Sequence, residues 1–447
     1  MRTILLRLAP CLFLVGLAAA PLRAQDPLGA KEFAAEVDAA LKETEEKCAA
    51  LIESKKLPWK KVAAEFRKRA RDAKTYVDQR DLLVELLARL RDGHAGLIEK
   101  DEDAARKAPR PPELFGPGMF WTEIDGHVHV KNVWGASEKA GVEPGDEILS
   151  VDGVAVAKWV AAREAEIARM RSFSTDHQAR FTTLHRGLAA ERGTRMKLEI
   201  RDAKGKKRKR NLVIDRDHCV PFGPAYPPED LAGLGKNIAW AKTEGGHGYI
   251  QVRRCRSEVV DELDRALAAI GEVSGVILDF RGNSGGGFDH EAFLGRFIPE
   301  GKSISFARKV EGAGPLRFGG PVVVIVDGNC ASAGETGSGM FKEEGRGYVI
   351  GESPSAGMSS QKTTIELPSG RFALYVSTHS NKSWYNDRRG LEGIGVIPHE
   401  TVSFTAADLA AKRDTLILRA EAPLADFPQK AVPYRPEQFG WKTPRGK

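Results

Sequence analysis

Cysteine is scarce. The 447 residues hold five, at 11, 48, 219, 255 and 330, and none stands in a CxxC or Cys/His spacing that would hold a metal. No cofactor motif is present either, so neither metal nor cofactor is expected. A second absence is a long apolar run. Beyond the first twenty residues no segment approaches the ~20 apolar residues that a membrane-spanning helix needs. A third is charge of one sign: 68 Lys and Arg face 61 Asp and Glu, for a net +7 spread along the chain. The exception is KGKKRKRN at 204–211. Such a run suits nucleic acid or an anionic surface, or else a solvated hairpin tip. Gly205 between two alternating stretches favours the hairpin, so no nucleic-acid partner is expected.

What is present is the composition of a soluble globular protein, 42% hydrophobic and 29% charged, at a length that calls for two or three domains. Arg2 and Arg7 precede an apolar stretch from Cys11 to Ala20, the pattern of a secretory signal ending after Ala24. Export makes disulfides among Cys48, Cys219, Cys255 and Cys330 permissible. Phe33, Val37, Leu41, Cys48 and Leu51 recur at helical spacing. Pro58 breaks the pattern, a second helix spans 59–73, and Leu82, Leu83, Leu86, Leu87 and Leu90 form one stripe that Gly93 should stop. His94 follows directly. Residues 101–112 (DEDAARKAPRPP) read as a charged, proline-ended linker. Strand patterning returns over 196–214. From Gly246, strands and helices alternate, with Ser257 expected to cap a helix bearing Val259, Val260, Leu263, Leu267 and Ile270.

The chain is organised around residues 275–335. GVILDFRGNSGGG gives a short aliphatic strand and a glycine-dense turn. PVVVIVDGNCASAGE repeats the plan, a Val/Ile strand stopping at Asp327 and a loop that opens a helix at Ser332. Unbroken apolar runs imply strands buried on both faces. Glycines at their ends let N–H groups point at a ligand, and a helix start favours negative charge. A hydroxyl there suits acyl transfer. It equally suits a capping box, because Ser332 and Glu335 fit the S-x-x-E spacing. Cys330 is a rival nucleophile two residues away.

DFRGNSGG, ASAGE, GES and LEGIGVIP, in that order, resemble the C-terminal processing and tricorn-core serine proteases over roughly the last half of the chain. The resemblance implies an α/β core of stacked ββα units as in the ClpP and crotonase superfamily, with Ser332 as nucleophile. Tail-specific members carry a lysine in a GEKTFGKG-like motif. Here Gly357 stands in its place within GESPSAGMSSQ (351–361), and Lys362 lies beyond the motif. The Ser/Lys dyad is therefore absent, which leaves the tricorn-like arrangement. On that resemblance His94, in LRDGHAGL, is the general base, and Glu392 is the acidic member. Titration of His94 would set a rising pH limb at about 6.5 before environmental shifts. Tricorn has a serine beside this histidine where this chain has Gly93, so the family's tetrad is incomplete here. Gly285 and Ala333 are the oxyanion-hole donors, with Gly286 the nearest alternative.

FGPGMFWTEIDGHVHVKNVWGASEKAGVEPGDEILSVDG (115–153) resembles a PDZ domain, with Gly116, Pro117, Gly118, Met119 and Phe120 as its carboxylate-binding loop. Strand addition at an exposed edge would then capture a peptide C-terminus. A small β domain without a ligand is the other reading. The expected organisation is a signal peptide (1–24), a helical domain (25–100), an inserted PDZ-like domain (112–216), an α/β serine protease core (235–425) and a tail (426–447). The expected function is a periplasmic or secreted serine endopeptidase acting on polypeptides. A silent binding protein on the same scaffold, or a hydrolase of other acyl substrates, stands as the alternative.

Overall fold

The computed structural model describes residues 27–109, 111–220, 223–305, 309–381 and 385–425. The expected signal segment and the 426–447 tail lie outside the described residues. The fold is mixed α/β. Its central sheet has seven strands, of which Gly248–Val252, Val276–Asp279, Val322–Val326, Tyr348–Gly351 and Glu400–Thr401 run parallel. Ile238–Lys242 and Ala232–Gly233 extend one side antiparallel. The unbroken Val/Ile run has its cause in two covered faces. Val322, Val324 and Val326 pack with helix residues Leu263, Leu267, Met340 and Phe341. Val323 and Ile325 pack with Leu416, Ile417 and Ala420 on the other side.

A separate sheet carries strands Met119–Ile124, His127–Val133, Glu147–Val151, Arg195–Arg201 and Lys207–Val213, with Met119–Ile124 at one edge. The basic run lies on the last hairpin, where Gly205 takes φ 77°. Two helices, Val156–Met170 and Asp176–Leu184, are inserted between its strands.

The N-terminal helices Ala30–Lys47, Ala49–Ser54, Trp59–Arg69 and Tyr76–Ala88 do not close a core by themselves. Their apolar faces pack on Ile365, Leu367, Phe372, Leu374 and Val376. Those residues belong to a hairpin, Ser360–Glu366 with Phe372–Ser380, which pairs with Gly96–Glu99. A boundary at residue 100 therefore cuts through one hydrophobic core. Three local expectations change. The helix after residue 257 starts at Val259 with Glu258 as N-cap, not Ser257. Arg91 (φ 49°), not Gly93, makes the left-handed turn after the leucine helix. The 101–112 linker holds a short helix, Glu102–Lys107, capped by the Asp101 side chain on Ala104 N–H.

Candidate active site

Strand Val322–Val326 ends at Asp327, whose buried carboxylate accepts N–H bonds from Gly282 (3.0 Å), Asn329 (3.0 Å) and Cys330 (2.8 Å). It thereby ties the two strand-end loops together. Burial, with nearby Glu352, raises its pKa to about 7. Two residues past Cys330, Ser332 takes φ 55° and ψ −120° at the N-cap of helix Ala333–Glu343. A β-carbon is crowded in that conformation, at a cost of roughly 1–3 kcal/mol, and such outliers cluster at functional sites. Ser332 and Glu335 do stand as a capping box: the Ser332 N–H donates to Glu335 Oε2 at 3.0 Å. The Glu335 N–H, however, goes to the Ser332 main-chain oxygen at 3.0 Å, and Oγ makes no directed cap bond.

The glycine loop lies against this turn. A Cβ on Gly285 (φ 82°) would stand 2.7 Å from Ser332 Cβ and 3.0 Å from Ala333 N, so only glycine permits the approach. Gly285 N–H is already committed, donating to Asn283 Oδ1 at 2.8 Å. Asn283 in turn donates to Val252 O at 2.8 Å. Gly286 N–H and Ala333 N–H donate to no described group. Cys330 is buried, and desolvation pushes its thiol far above the ordinary range, which disfavours the thiolate a nucleophile needs.

Glu335 organises the segment facing the serine. Its carboxylate accepts from Ser355 Oγ (2.6 Å), Gly357 N (2.8 Å) and Met358 N (2.7 Å) as well as from Ser332. Burial raises its pKa to about 8 against the pull of the Ser355 and Gly357 bonds. Ser332 N–H also donates to Met358 O at 2.9 Å. The segment is held from behind by the helical insertion of the small β domain: Thr175 Oγ1 donates to Ala356 O at 2.9 Å, and His177 Nε2 lies 2.6 Å from Ser355 O.

His94 arrives by strand register. Gly96 pairs with Tyr375, and the chain two residues earlier runs toward Ser377. Its N–H donates to Asp92 Oδ1 at 2.9 Å, and its Nδ1 lies 3.3 Å from Ser360 Oγ. Burial, then the Lys362 charge, lowers its pKa to about 4. Ligand atoms of Asp92, His94 and Glu392 lie within 4.8 Å of one another. Lys55 Nζ donates to Glu392 Oε1 at 2.7 Å and supplies the positive charge there, so no metal is assigned. Ser174 Oγ donates to the same oxygen at 2.6 Å, while Oε2 has no partner. Met358 lies between the two neighbourhoods: its carbonyl accepts from Ser332 N–H, and a Cβ on Gly93, the residue before His94, would meet its Cγ at 2.9 Å. Among the described residues no hydrogen bond joins His94 to Ser332.

The Gly116–Phe120 loop is covered. Gly116 N–H donates to Asp217 O at 2.8 Å, Ser137 Oγ donates to Pro117 O at 2.8 Å, and Met119 and Phe120 are buried. Helix Asp176–Leu184 packs beside the edge strand. Residues that motif reading passed over are Asp92, Ser360, Ser377, Asn283, Lys55 and Ser174. Asp92 stands two residues before His94, Asn283 within GNSGGG and Ser360 within GESPSAGMSSQ; Lys55, Ser174 and Ser377 reach the site only through contacts distant in sequence.

Residues 246–402 match the family model described as Peptidase family S41. The chain is 23% identical over 358 residues to a carboxyl-terminal-processing protease of Picosynechococcus sp., covering 77% of each chain. It is 24% identical over 271 residues to the carboxy-terminal processing protease CtpB of Bacillus subtilis, covering 57% of this chain and 49% of that one. It thus spans about half the length of the second relative. Among solved structures, mature CPAF superposes with a TM-score of 0.62 at 14% identity, over 87% of this chain and 96% of that one, a likeness of fold.

Proposed function

We propose, from the premise that this chain is a serine-type peptidase built on a peptidase family S41 core over residues 246–402, that it cleaves peptide bonds in polypeptides outside the cytoplasm through Ser332 and His94. Ser332 Oγ attacks the carbonyl carbon as its proton passes to His94 Nε2. The resulting oxyanion accepts N–H bonds from Gly286 and Ala333 at the positive end of helix Ala333–Glu343. Gly285, with its N–H on Asn283, serves by permitting close approach rather than by donating. Collapse breaks the C–N bond, His94 gives its proton to the leaving amine, and water repeats the sequence on the acyl-enzyme. Glu392, paired with Lys55, borders the imidazole and steadies its charge. The Gly116–Phe120 loop is the proposed site for a substrate C-terminus, reached when the segment bridging it at Asp217 moves aside.

The observation that carries this reading is the strained Ser332 turn, with the Gly286 and Ala333 N–H groups unengaged in the adjoining backbone. A fluorophosphonate reagent tests it: labelling at Ser332 that is lost in His94→Ala supports the enzyme. The missing His94–Ser332 hydrogen bond favours a second reading, a silent binding protein. Absence of labelling at every pH, with peptide binding retained, would establish that one instead. Cleavage of esters but of no peptide would redirect the assignment to another acyl substrate.

A further inference from the structure

Behind His94 lies a hydrogen-bonded chain that ends on a buried carboxylate. Nδ1 is 3.3 Å from Ser360 Oγ, Ser360 Oγ is 2.5 Å from Ser377 Oγ, and Ser377 Oγ donates to Asp92 Oδ1 at 2.8 Å. Asp92 Oδ2 takes the Ser377 N–H at 2.7 Å, and Oδ1 also takes the His94 N–H at 2.9 Å. Asp92, Ser360 and Ser377 are all buried, at 2%, 4% and 1% exposure, so water does not compete for these bonds.

The direction of every bond follows from counting hydrogens. An ionised carboxylate only accepts, and a hydroxyl has one hydrogen. Ser377 O–H is therefore spent on Asp92, and its oxygen accepts from Ser360. Ser360 O–H is spent on Ser377, so its oxygen accepts from the imidazole. Nδ1 must carry the proton, and Nε2 is left with its lone pair. We infer that Asp92, acting through Ser377 and Ser360, is a positioning residue that fixes the base-competent tautomer of His94. This rests on the reading of His94 as general base. It assigns the orienting role to Asp92 rather than to Glu392, whose bonded oxygen is taken by Lys55 and Ser174. A chain of two serines thus does the work for which Gly93 offers no side chain.

The test uses the full chain with ring-¹⁵N histidine, the His94 signals being assigned by difference from His94→Gln. The wild type should show Nδ1–H, and Ser360→Ala or Ser377→Ala should shift population toward Nε2–H. The saturating rate of fluorophosphonate labelling at Ser332 should fall about 10-fold in either variant, a part of the roughly 100- to 10,000-fold that a general base contributes, at unchanged apparent affinity for the reagent. Ser360→Thr, which keeps the hydroxyl, should recover both readouts. An Nε2–H tautomer in the wild type, unaltered rates in both alanine variants, or a loss that Ser360→Thr does not recover would overturn the relay. The two readings separate cleanly: His94→Ala labelled at the wild-type rate removes the base, while the tautomer measurement still judges the relay.

Discussion

Gly357 and Thr175 come so close that a Cβ at residue 357 would stand 2.5 Å from Thr175 Cγ2. Gly357 also takes φ 73°, and the same Cβ would meet Ile394 N at 3.0 Å. Restoring the lysine of the tail-specific motif should therefore fail on steric grounds. Gly357→Lys is expected to lose on the order of 3 kcal/mol of stability, from backbone strain and overpacking together, and to gain no activity in a His94→Ala background. Denaturant midpoints and labelling rates check the two parts separately.

Ser332 holds a conformation that glycine adopts more readily. Ser332→Ala and Ser332→Gly should both be inactive, and the glycine variant should be more stable than the alanine one by about 1 kcal/mol. That is the relieved strain less the entropic cost of glycine. Thermal unfolding of the pair checks it. Equal stabilities would mean that the turn carries no strain.

Four donors converge on the Glu335 carboxylate, three of them from the segment that faces the serine. Glu335→Gln turns one acceptor into a donor aimed at other donors, which should cost about 1–3 kcal/mol. It should slow labelling of Ser332 by about 100-fold, because the loop moves relative to the nucleophile. A variant with normal rate and melting point would reduce Glu335 to an ordinary cap.

The strands, the glycine loop and the helix start at Ser332 were legible because each is written locally: apolar runs of four or five residues, glycines after them, a serine at the turn. The choice between cap and nucleophile was not, since it depends on ψ −120° and on which oxygen takes the Glu335 N–H. The surroundings of His94 were hidden for a different reason. Ser360 and Ser377 reach it through pairing of Gly96–Glu99 with Phe372–Ser380, and a register shift between Gln361 and Lys362 sets which side chains face inward. Nothing near residue 94 encodes that register. Gly285 departs from its expected role as donor for a local reason: the glycine is there for approach, and the Asn283 side chain two residues earlier takes its N–H.

Cys330 separates the two possible nucleophiles. It is buried, and its thiol is held protonated. Cys330→Ala should keep the wild-type labelling rate and lose at most about 2 kcal/mol through a small cavity. Loss of labelling in a folded Cys330→Ala variant would reopen the assignment of Ser332.

The pH dependence turns on His94. A general base must be neutral to accept the Ser332 proton. With its pKa lowered to about 4 by burial and then by Lys362, the ascending limb should lie well below the 6.5 of a free histidine. Labelling should already be near its plateau at pH 6. Lys362→Met removes a like charge that disfavours the imidazolium, so the limb should move up toward neutrality. Stability shifts in a linked way. Because the folded pKa is the lower one, the unfolded chain takes up the extra proton between pH 6.5 and 4, and stability falls as the pH drops through that window. His177, His290 and His399 are lowered in the same direction, so the total loss is shared. The contribution of His94 is the difference between wild type and His94→Gln, whose stability should fall less steeply over the same window. A limb at 6.5 that ignores Lys362→Met would mean that the titrating base is another group, or that His94 is solvated in the reacting form.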